Sequence, residues 1–480
     1  MRKVVQRLQE FSIPLIAGVI MAMLWANVSP DSYHNLVHTP VHRIGTIFDH
    51  QAGHEPDHSV AETDGPGLDA GHESEAVKTS DETSAAAHGW DHYLTLHFLI
   101  NDIFMALFFG IAAKEITEAC LPNGALNPVR KAVNPLFGTV GGVVGPIGVF
   151  LLLNLAFGKT EWQRGWGIPT ATDIALAWLV IKLLFGARHP SVSFLLLLAV
   201  ADDAIGLGII AFGYPDPAHP TEWMNLLWCV PGMALAFGLR KAKVHNWVPY
   251  IFGGGVLTWW GLYSAHLHPA LALVFIVPFL PGPKKDLGLF VDDENTDHHS
   301  HSPLENFEHS LKLFVDLGLF FFALVNAGVS FGEVSGLSWI IMLSLVAGKM
   351  IGITLFSSVA QVIGFPLPAG MSHRHLIVTS SVAGLGLTVA LFVCGQAFTD
   401  PALMGAAKMG AVFSVFSAVV ALVAKVGLGV RGDTNDSVAE SADPKATQLL
   451  EEIQELEKEV KGSAGDGSDS AASFPATTAR

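Results

Sequence analysis

The chain has 480 residues, half of which are hydrophobic and only 15% charged, and its mean hydropathy is +0.44. These values exclude an ordinary soluble domain and predict an all-α polytopic membrane protein. The formal charge of −16 does not describe the membrane body, because the acidic residues cluster in three polar segments, roughly 49–91, 286–308 and 433–469.

Apolar windows of about twenty residues, separated by Pro, Gly or charged residues, predict about twelve membrane-spanning helices. They cover approximately residues 11–28, 93–119, 134–157, 168–185, 190–213, 222–239, 246–265, 267–281, 310–331, 338–364, 375–397 and 403–427. Lys and Arg concentrate in alternate short connections, beginning before the first span. The excess of positive charge in cytoplasmic loops then places both termini in the cytoplasm, as an even number of spans requires.

The polar segments divide the chain into four parts. Residues 1–28 contain the first span, which we expect to be retained because no convincing cleavage site follows it. Residues 29–92 form a His/Asp/Glu-rich periplasmic loop, 93–430 the membrane domain, and 431–480 a soluble cytoplasmic tail with a short amphipathic helix near 449–460. The helix has about two heptads, so a weak dimer contact stays open.

The loop at 29–92 has two interpretations. His50, His54 and His58 have helical spacing, which leaves a weak zinc or copper site open. The simpler interpretation is a solvated, disordered loop whose histidines become charged in acid.

Two adjacent aspartates, Asp202 and Asp203, lie in the middle of the apolar run 193–212. Each aspartate at the centre of a membrane helix costs roughly 2.5–3.5 kcal/mol on insertion scales. A chain that keeps two of them there is expected to use them on ions or protons. The pair therefore predicts transport.

Two spans carry residues that interrupt a helix. Pro169, Thr172 and Asp173 fall in the fourth span, and Gly384 and Gly386 in the eleventh. Two such segments far apart in sequence indicate an inverted-repeat transporter whose broken helices cross. Asp173 would then compensate the exposed N-terminal helix dipoles. The alternative is that the glycines only allow close helix packing.

Lys349 lies near the middle of the tenth span and needs a partner. Pairing with one of the two aspartates leaves the other free for a cation. Since adjacent residues on a helix diverge by about 100°, the two aspartates cannot be equivalent. Asp102 is a further buried acid, toward the periplasmic end of the second span.

The available ligands narrow the substrate. Carboxylates, threonine hydroxyls and open backbone carbonyls suit hard cations such as Na⁺ and Li⁺. Protons and a small cation compete for the same carboxylate oxygens. Competition at one site that opens alternately to each side of the membrane is sufficient for antiport.

An ordered set of motifs resembles the NhaA family of bacterial sodium/proton antiporters over about 93–428. The set comprises Asn101-Asp102, Thr172-Asp173, Asp202-Asp203, His268, Glu308-His309, Asn326, Gly348-Lys349 and the Gly384/Gly386 segment. The resemblance implies an inverted-repeat fold with the fourth and eleventh helices unwound and crossing, in a bacterial inner membrane. It also implies export of one Na⁺ for two H⁺, contributing to sodium and pH homeostasis.

Specific roles follow from the same resemblance. It implies that Asp203 and Asp202 handle Na⁺ and H⁺, that Thr172 lies near the ion, and that Asp173 and Lys349 balance charge at the crossing. On that basis we assign Asp203 to the cation and Asp202 to the lysine.

The resemblance also bears on regulation and assembly. Glu115, Glu308, His309 and His268 are candidates for the pH response, whereas Glu118 lies where a basic residue is usual. The activation pH is therefore open. The long loop at 29–92 replaces a shorter connection that can contribute a dimer-forming hairpin, so a homodimer by that route cannot be assumed.

We therefore predict a secondary transporter that exports Na⁺ or Li⁺ in exchange for H⁺ in a lipid bilayer, with no cofactor and no nucleic-acid partner. The runner-up is a sodium-coupled symporter of an organic anion, which is disfavoured because no second polar cluster suits such a substrate. A membrane sensor that uses the histidine-rich loop is the third alternative.

Overall fold

The computed structural model describes residues 13–39, 95–121, 129–187, 189–214, 221–282 and 302–430, together with 124 and 126. Most of the predicted histidine-rich loop, including His50, His54 and His58, lies outside these residues. So do most of the second acidic segment and the whole tail from 431. The metal site and the amphipathic helix therefore stay predictions.

All regular structure in the described ranges is helical. The helices, in chain order, are α1 Ile13–Val28, α2 Pro30–His38, α3 Leu96–Cys120, α4 Val129–Phe157, α5 Thr160–Thr170, α6 Ile174–Phe185, α7 Pro190–Gly213, α8 Cys229–Lys241, α9 Pro249–Gly255 continuing as Val256–Ser264, α10 Pro269–Phe279, α11 Pro303–Asn326, α12 Gly336–Ile363, α13 His373–Val382, α14 Leu387–Ala397 and α15 Pro401–Gly427.

Five of these helices are long and apolar enough to cross a membrane: α3, α4 from Ala132 onward, α7, α12 and α15. Two bent pairs, α5 with α6 and α13 with α14, add two candidate broken spans. Every predicted span coincides with a helix or a bent pair, which confirms an all-α polytopic membrane protein. The number twelve stays a prediction.

Some boundaries differ from the sequence prediction, for physical reasons. The ninth predicted span starts at Pro303 rather than near 310, because Ser302 and Glu305 cap each other's backbone N–H at 3.2 and 2.7 Å. The fourth predicted span, 168–185, is extended at its start by the 3₁₀ helix α5. The break between α5 and α6 therefore lies inside the span and not at its start.

The segment predicted as a loop from residue 29 begins with a helix. Pro30 occupies the first turn of α2, where its missing N–H costs nothing. Tyr33 and Val37 are buried, and the Tyr33 hydroxyl donates to the Leu324 carbonyl at 2.7 Å. The first turns of this segment thus belong to the membrane body.

The core of the fold consists of two units with the same order: a long helix, a broken helix and a long helix. The first unit is α4, α5–α6 and α7, and the second is α12, α13–α14 and α15. Helices α4 and α12 pack antiparallel, since Gly141 faces Gly352 while Gly145 faces Gly348. An antiparallel contact between corresponding helices is what an inverted repeat requires.

Candidate functional site

Asp202, Thr172 and Lys349 form a buried polar triangle where α5–α6, α7 and α12 meet. Lys349 makes a very short ion pair with Asp202, and the side chains of both residues have no solvent exposure. The Lys349 ammonium also donates to the Thr172 hydroxyl at 2.7 Å. That hydroxyl can give its one proton to Asp202 Oδ2 at 2.7 Å or to the Ala383 carbonyl at 3.0 Å. The lysine thus has the partner that its depth demands.

Asp203 stands apart from this triangle, as the divergence of adjacent helix residues requires. Its side chain is half-buried, and its Oδ1 atom is buried with no hydrogen-bond partner within the described part of the chain. Asp202 Oδ1 is likewise unpartnered among those residues. Two carboxylate oxygens at mid-helix are therefore open to a cation or a proton.

Asp173 lies at the crossing of the two broken helices. The pairs α5–α6 and α13–α14 bend by 57° and 50° at their breaks. One oxygen of Asp173 accepts the Leu176 N–H at 3.1 Å, at the start of α6, and the other accepts the Thr388 N–H at 3.2 Å, at the start of α14. The single carboxylate thus caps two helix N-termini, which the dipole argument predicts.

The backbones of the two breaks also contact each other directly. The Asp173 N–H donates to the Leu385 carbonyl at 2.6 Å. A Cβ atom on Gly386 would lie 2.8 Å from the Ala171 carbonyl oxygen, so only glycine allows this approach. The glycines of the eleventh span therefore serve the crossing as well as close packing. The predicted break and the alternative explanation both hold there.

A second charged cluster lies at the far end of α3. Lys114 is 5% exposed and contacts three carboxylates: Glu115 at 3.3 Å, Glu118 at 2.6 Å and Glu308 at 2.5 Å. Three acids around one lysine leave two formal negative charges when all are ionised. Such a group suits a cation-attracting or pH-responsive mouth.

Comparison with known proteins decides the family. Residues 73–425 match the family model described as Na⁺/H⁺ antiporter 1. The chain belongs to this family. It is 51% identical over 414 residues to the Na⁺/H⁺ antiporter NhaA of Desulfitobacterium hafniense, covering 86% of this chain and 93% of that protein.

Two further relatives agree. The chain is 48% identical over 431 residues to the Na⁺/H⁺ antiporter NhaA of Geotalea uraniireducens, covering 90% and 98% of the two chains. It is 50% identical over 414 residues to that of Geobacter sulfurreducens, covering 86% and 95%. The resemblance seen in the motifs is confirmed, and the protein is a multi-pass membrane protein of the Na⁺/H⁺ antiporter 1 family.

Other predicted site residues of this family member lie away from the triangle. Asp102 is half-buried in the π-helical segment Leu99–Phe104 of α3. His268 caps the start of α10, where its Nδ1 accepts the Ala270 N–H at 3.3 Å, and its ring lies 4.8 Å from that of Phe392 in α14. His309 follows Glu308 with an exposed side chain.

Sequence reasoning missed Lys114, which is the centre of the charged cluster. The signal was present, because Glu118 follows it by four residues and such pairs face each other on a helix. The basic partner missing at position 118 is thus supplied one turn earlier. Nothing in the sequence indicated that Glu308 would approach the same lysine.

The side chains and open carbonyls of the site offer oxygen atoms as ligands. Among the described residues, no group of three or more His, Cys, Asp or Glu side chains is arranged to hold a metal ion. Two carboxylates, a hydroxyl and the carbonyls of the breaks supply only hard oxygen ligands.

Proposed function

We propose that this antiporter-family protein exports Na⁺ in exchange for H⁺ at Asp202 and Asp203. The observation that carries the proposal is their asymmetry: Asp202 is held by Lys349, whereas the buried Oδ1 of Asp203 has no partner among the described residues. The names of the relatives support the same exchange. Asp203 would bind the cation directly. Asp202 would release Lys349 and join Asp203 in binding the cation.

Competition between ions for these oxygens provides the coupling. When both carboxylates are ionised, Na⁺ finds two anionic oxygens beside one lysine, and the net charge of the three side chains is −1. Protons that arrive from the opposite side neutralise the carboxylates and expel the ion. Two carboxylates account for two protons per Na⁺, so one net charge moves inward per cycle. A membrane potential then contributes about 2.3 kcal/mol per 100 mV.

The crossing would provide the alternating access. The Asp173 carboxylate caps the N-termini of both α6 and α14, so movement of either half-helix changes the positions of Thr172 and Asp202. The backbone there is not helical, and membrane interiors tolerate this only in protein-buried or wet surroundings. Li⁺ fits the same oxygen ligands and would be an alternative substrate.

The Lys114 cluster would set the pH response from the cytoplasmic side. The positive-inside rule places both termini and the end of α3 near Cys120 on the cytoplasmic side of an inner membrane.

Glu118→Gln removes one acid of the cluster and should shift the pH profile of exchange. Glu161→Gln, an exposed acid on α5, is the matched control and should leave the profile unchanged. Equal profiles for all three proteins would contradict this role.

Proteoliposomes with an internal pH-sensitive dye test the exchange itself. Addition of Na⁺ should dissipate an imposed proton gradient without any organic anion. Valinomycin with K⁺ should change the rate if the exchange moves net charge. A response that depends on an added anion would favour the symporter, and no response to Na⁺ or Li⁺ would overturn the proposal.

A further inference from the structure

A stack of three rings joins the two core units at the ends of α6, α7 and α13 that lie away from the crossing. The His189 ring lies 4.8 Å from the Phe185 ring and 4.9 Å from the His375 ring, with planes inclined by 20° and 26°. Phe185 ends α6 and His189 precedes α7, both in the first unit. His375 lies in the first turn of α13, in the second unit. The two histidines thus meet across the boundary between the units.

His189 caps α7 in a way that requires a neutral ring. Its Nδ1 atom accepts the Ser191 N–H at 3.1 Å. A ring nitrogen that accepts a hydrogen bond carries no proton, so the proton of the neutral ring is on Nε2. A second proton would bind at Nδ1 and turn the acceptor into a donor that faces another donor. Because His189 is only 3% exposed, water cannot readily replace the lost hydrogen bond.

His375 has a similar role at the start of α13. The Ser372 hydroxyl oxygen accepts the His375 N–H at 3.5 Å, and His375 Nδ1 accepts the Ser372 N–H at 3.2 Å. This is a capping box in which an imidazole replaces the usual Glu or Gln side chain. A second proton on this ring would also bind at Nδ1 and break the reciprocal cap. Both helix starts therefore depend on unprotonated Nδ1 atoms.

The elements around the stack carry basic residues. They are Arg130 on α4, Lys182 on α6, His373 and Arg374 on α13, and Lys425 on α15. Lys425 donates to the Leu184 carbonyl at the end of α6, and its ammonium lies 5.7 Å from the centre of the Phe185 ring. Arg374 donates to the Leu428 carbonyl at 3.3 Å. The side chain of Arg188, which precedes His189 in the sequence, lies outside the described residues.

Acidic residues do not offset these positive charges in the neighbouring segments. The corresponding halves of α4, α6, α7, α12, α13 and α15 contain neither Asp nor Glu: residues 129–142, 174–187, 190–201, 350–363, 373–382 and 416–427. On α3, which also packs on α7, Glu115 and Glu118 pair with Lys114. Burial and, second, the neighbouring His375 lower the pKa of His189 from 6.5 to about 4. The neutral stack is therefore favoured at pH 7, and it weakens as the pH falls from 6.5 toward 4.

We propose that His189 and His375 form a second proton-binding site, which holds the two core units together while it is empty and releases α13 from α7 when it is filled. The proton comes from water on the side that the positive-inside rule assigns to the cytoplasm. It forms an N–H bond at Nδ1, and the hydrogen bond from Ser191 or Ser372 to that nitrogen breaks. The two charged rings then repel each other across the stack.

This site is distinct from both groups of charges described above. His189 lies about 20 Å along α7 from Asp202, at 1.5 Å per residue, so its proton is not one of those exchanged at the aspartates. The Lys114 cluster joins α3 to α11, outside the two core units. The histidine site instead controls how the units contact each other.

Hydrogen–deuterium exchange of the full-length protein in detergent tests the site without transport. Peptides that cover the starts of α7 and α13 should lose protection together between pH 7.5 and pH 5. After correction for intrinsic exchange rates and allowance for solvent screening, the loss should be about tenfold. The start of α15, which Asp400 caps, is the internal control and should keep its protection. Unchanged protection at α7 or at α13 would overturn the proposal.

Variants separate one coupled site from two independent caps. His189→Asn keeps a capping oxygen for α7 but cannot take up a proton in this range. The acid-induced loss of protection at α13, in the other unit, should then shrink severalfold. His375→Gln restores the usual capping box and gives the reciprocal test at α7. His373→Asn, an exposed neighbour on α13, is the matched control and should change neither loss. An undiminished loss at α13 in His189→Asn would overturn the coupling.

The effect on transport rests on the proposed function. Because α7 carries both aspartates, acidifying the side that holds the termini from pH 7.5 to pH 5.5 should slow Na⁺-driven proton flux in proteoliposomes. His375→Gln should reduce this slowing severalfold, whereas His373→Asn should not. Equal slowing in all three proteins would overturn the control of exchange by this site. Absence of Na⁺-driven flux in the unmodified protein at every pH would instead overturn the proposed function and leave the hydrogen–deuterium result standing.

Discussion

The carboxylate of Asp173 accepts a hydrogen bond from the backbone N–H of Thr388, 215 residues further along the chain. Its other oxygen caps α6, so one side chain caps the N-terminus of a half-helix in each of the two core units. The positive ends of both half-helices thus face one negative charge in a medium where unsatisfied N–H groups are costly. The crossing is held together by a residue that need not touch the ion.

This double cap predicts a graded mutation series. Asp173→Leu removes both caps and should cost about 1–4 kcal/mol, at roughly 0.5–2 kcal/mol per cap. Asp173→Asn keeps one acceptor oxygen and can cap only one helix, so its stability should be intermediate. Thermal melting in detergent measures both. Equal melting temperatures for the asparagine and leucine variants would contradict the double cap.

The ion pair at the site predicts a large effect for the lysine. Lys349→Met leaves Asp202 buried and unpaired, and breaking a buried pair costs about 3–5 kcal/mol. The double variant Lys349→Met with Asp202→Asn should recover much of the melting temperature, though not transport. Lys159→Met, at an exposed lysine, is the control and should melt like the unmodified protein. Unchanged melting of Lys349→Met would rule out the pairing.

The α4–α12 contact predicts a steric effect that depends on position. Gly352→Ala would place a methyl group 2.0 Å from the Gly141 carbonyl oxygen and force the helices apart, at a cost of at least 1–3 kcal/mol. Gly148→Ala on α4 meets nothing within 4 Å and should melt at the same or a higher temperature. If both variants melt alike, the α4–α12 contact is looser than described.

A histidine between α6 and α7 predicts acid sensitivity. The His189 ring stacks 4.8 Å from Phe185 and 4.9 Å from His375, and its Nδ1 accepts the Ser191 N–H. Burial, together with the neighbouring His375, lowers the pKa of His189 from 6.5 to about 4. The neutral ring is thus favoured in the folded protein. Its contribution to stability is complete above pH 6.5 and is lost as the pH falls toward 4.

His189→Asn keeps a capping oxygen but cannot take up a proton in this range. Its melting temperature should fall less between pH 7.5 and pH 4.5 than that of the unmodified protein. The difference should correspond to about 1–2 kcal/mol, after allowance for solvent screening. Parallel melting curves of the two proteins across that range would show that His189 is not the titrating group.

Most of the core could be predicted from the sequence, because charged and helix-breaking residues are rare in membrane spans and therefore stand out. Asp173 and Lys349 are rare residue types at their depths: Lys349 is expected to need a partner, and Asp173 to compensate exposed helix N-termini. Pro169 and Gly386 indicated the breaks, since backbone geometry there excludes a continuous helix. In each case the cost of a polar group or an open backbone in lipid made a local signal sufficient.

Other contacts could not be predicted, because they depend on how distant segments meet. In the sequence, Lys114 is one more basic residue near a helix end. Its contact with Glu308, from α11, becomes apparent only in the fold. Asn134 and Ser357 are 223 residues apart, and only the antiparallel packing of α4 on α12 joins them. Tyr33 falls in the segment predicted to be a solvated loop. Its hydrogen-bond partner, the Leu324 carbonyl, lies far away in sequence, in α11, and so could not be predicted.

Na⁺-driven proton flux in proteoliposomes containing Asp203→Asn tests the central assignment most directly. The substitution keeps the shape of the side chain and removes the charge that would bind the cation. Asp400→Asn, at an exposed helix cap that asparagine also serves, is the matched control. We predict loss of flux for Asp203→Asn, with normal expression and melting, and full flux for Asp400→Asn. Appreciable Na⁺-dependent proton flux through Asp203→Asn would contradict the account.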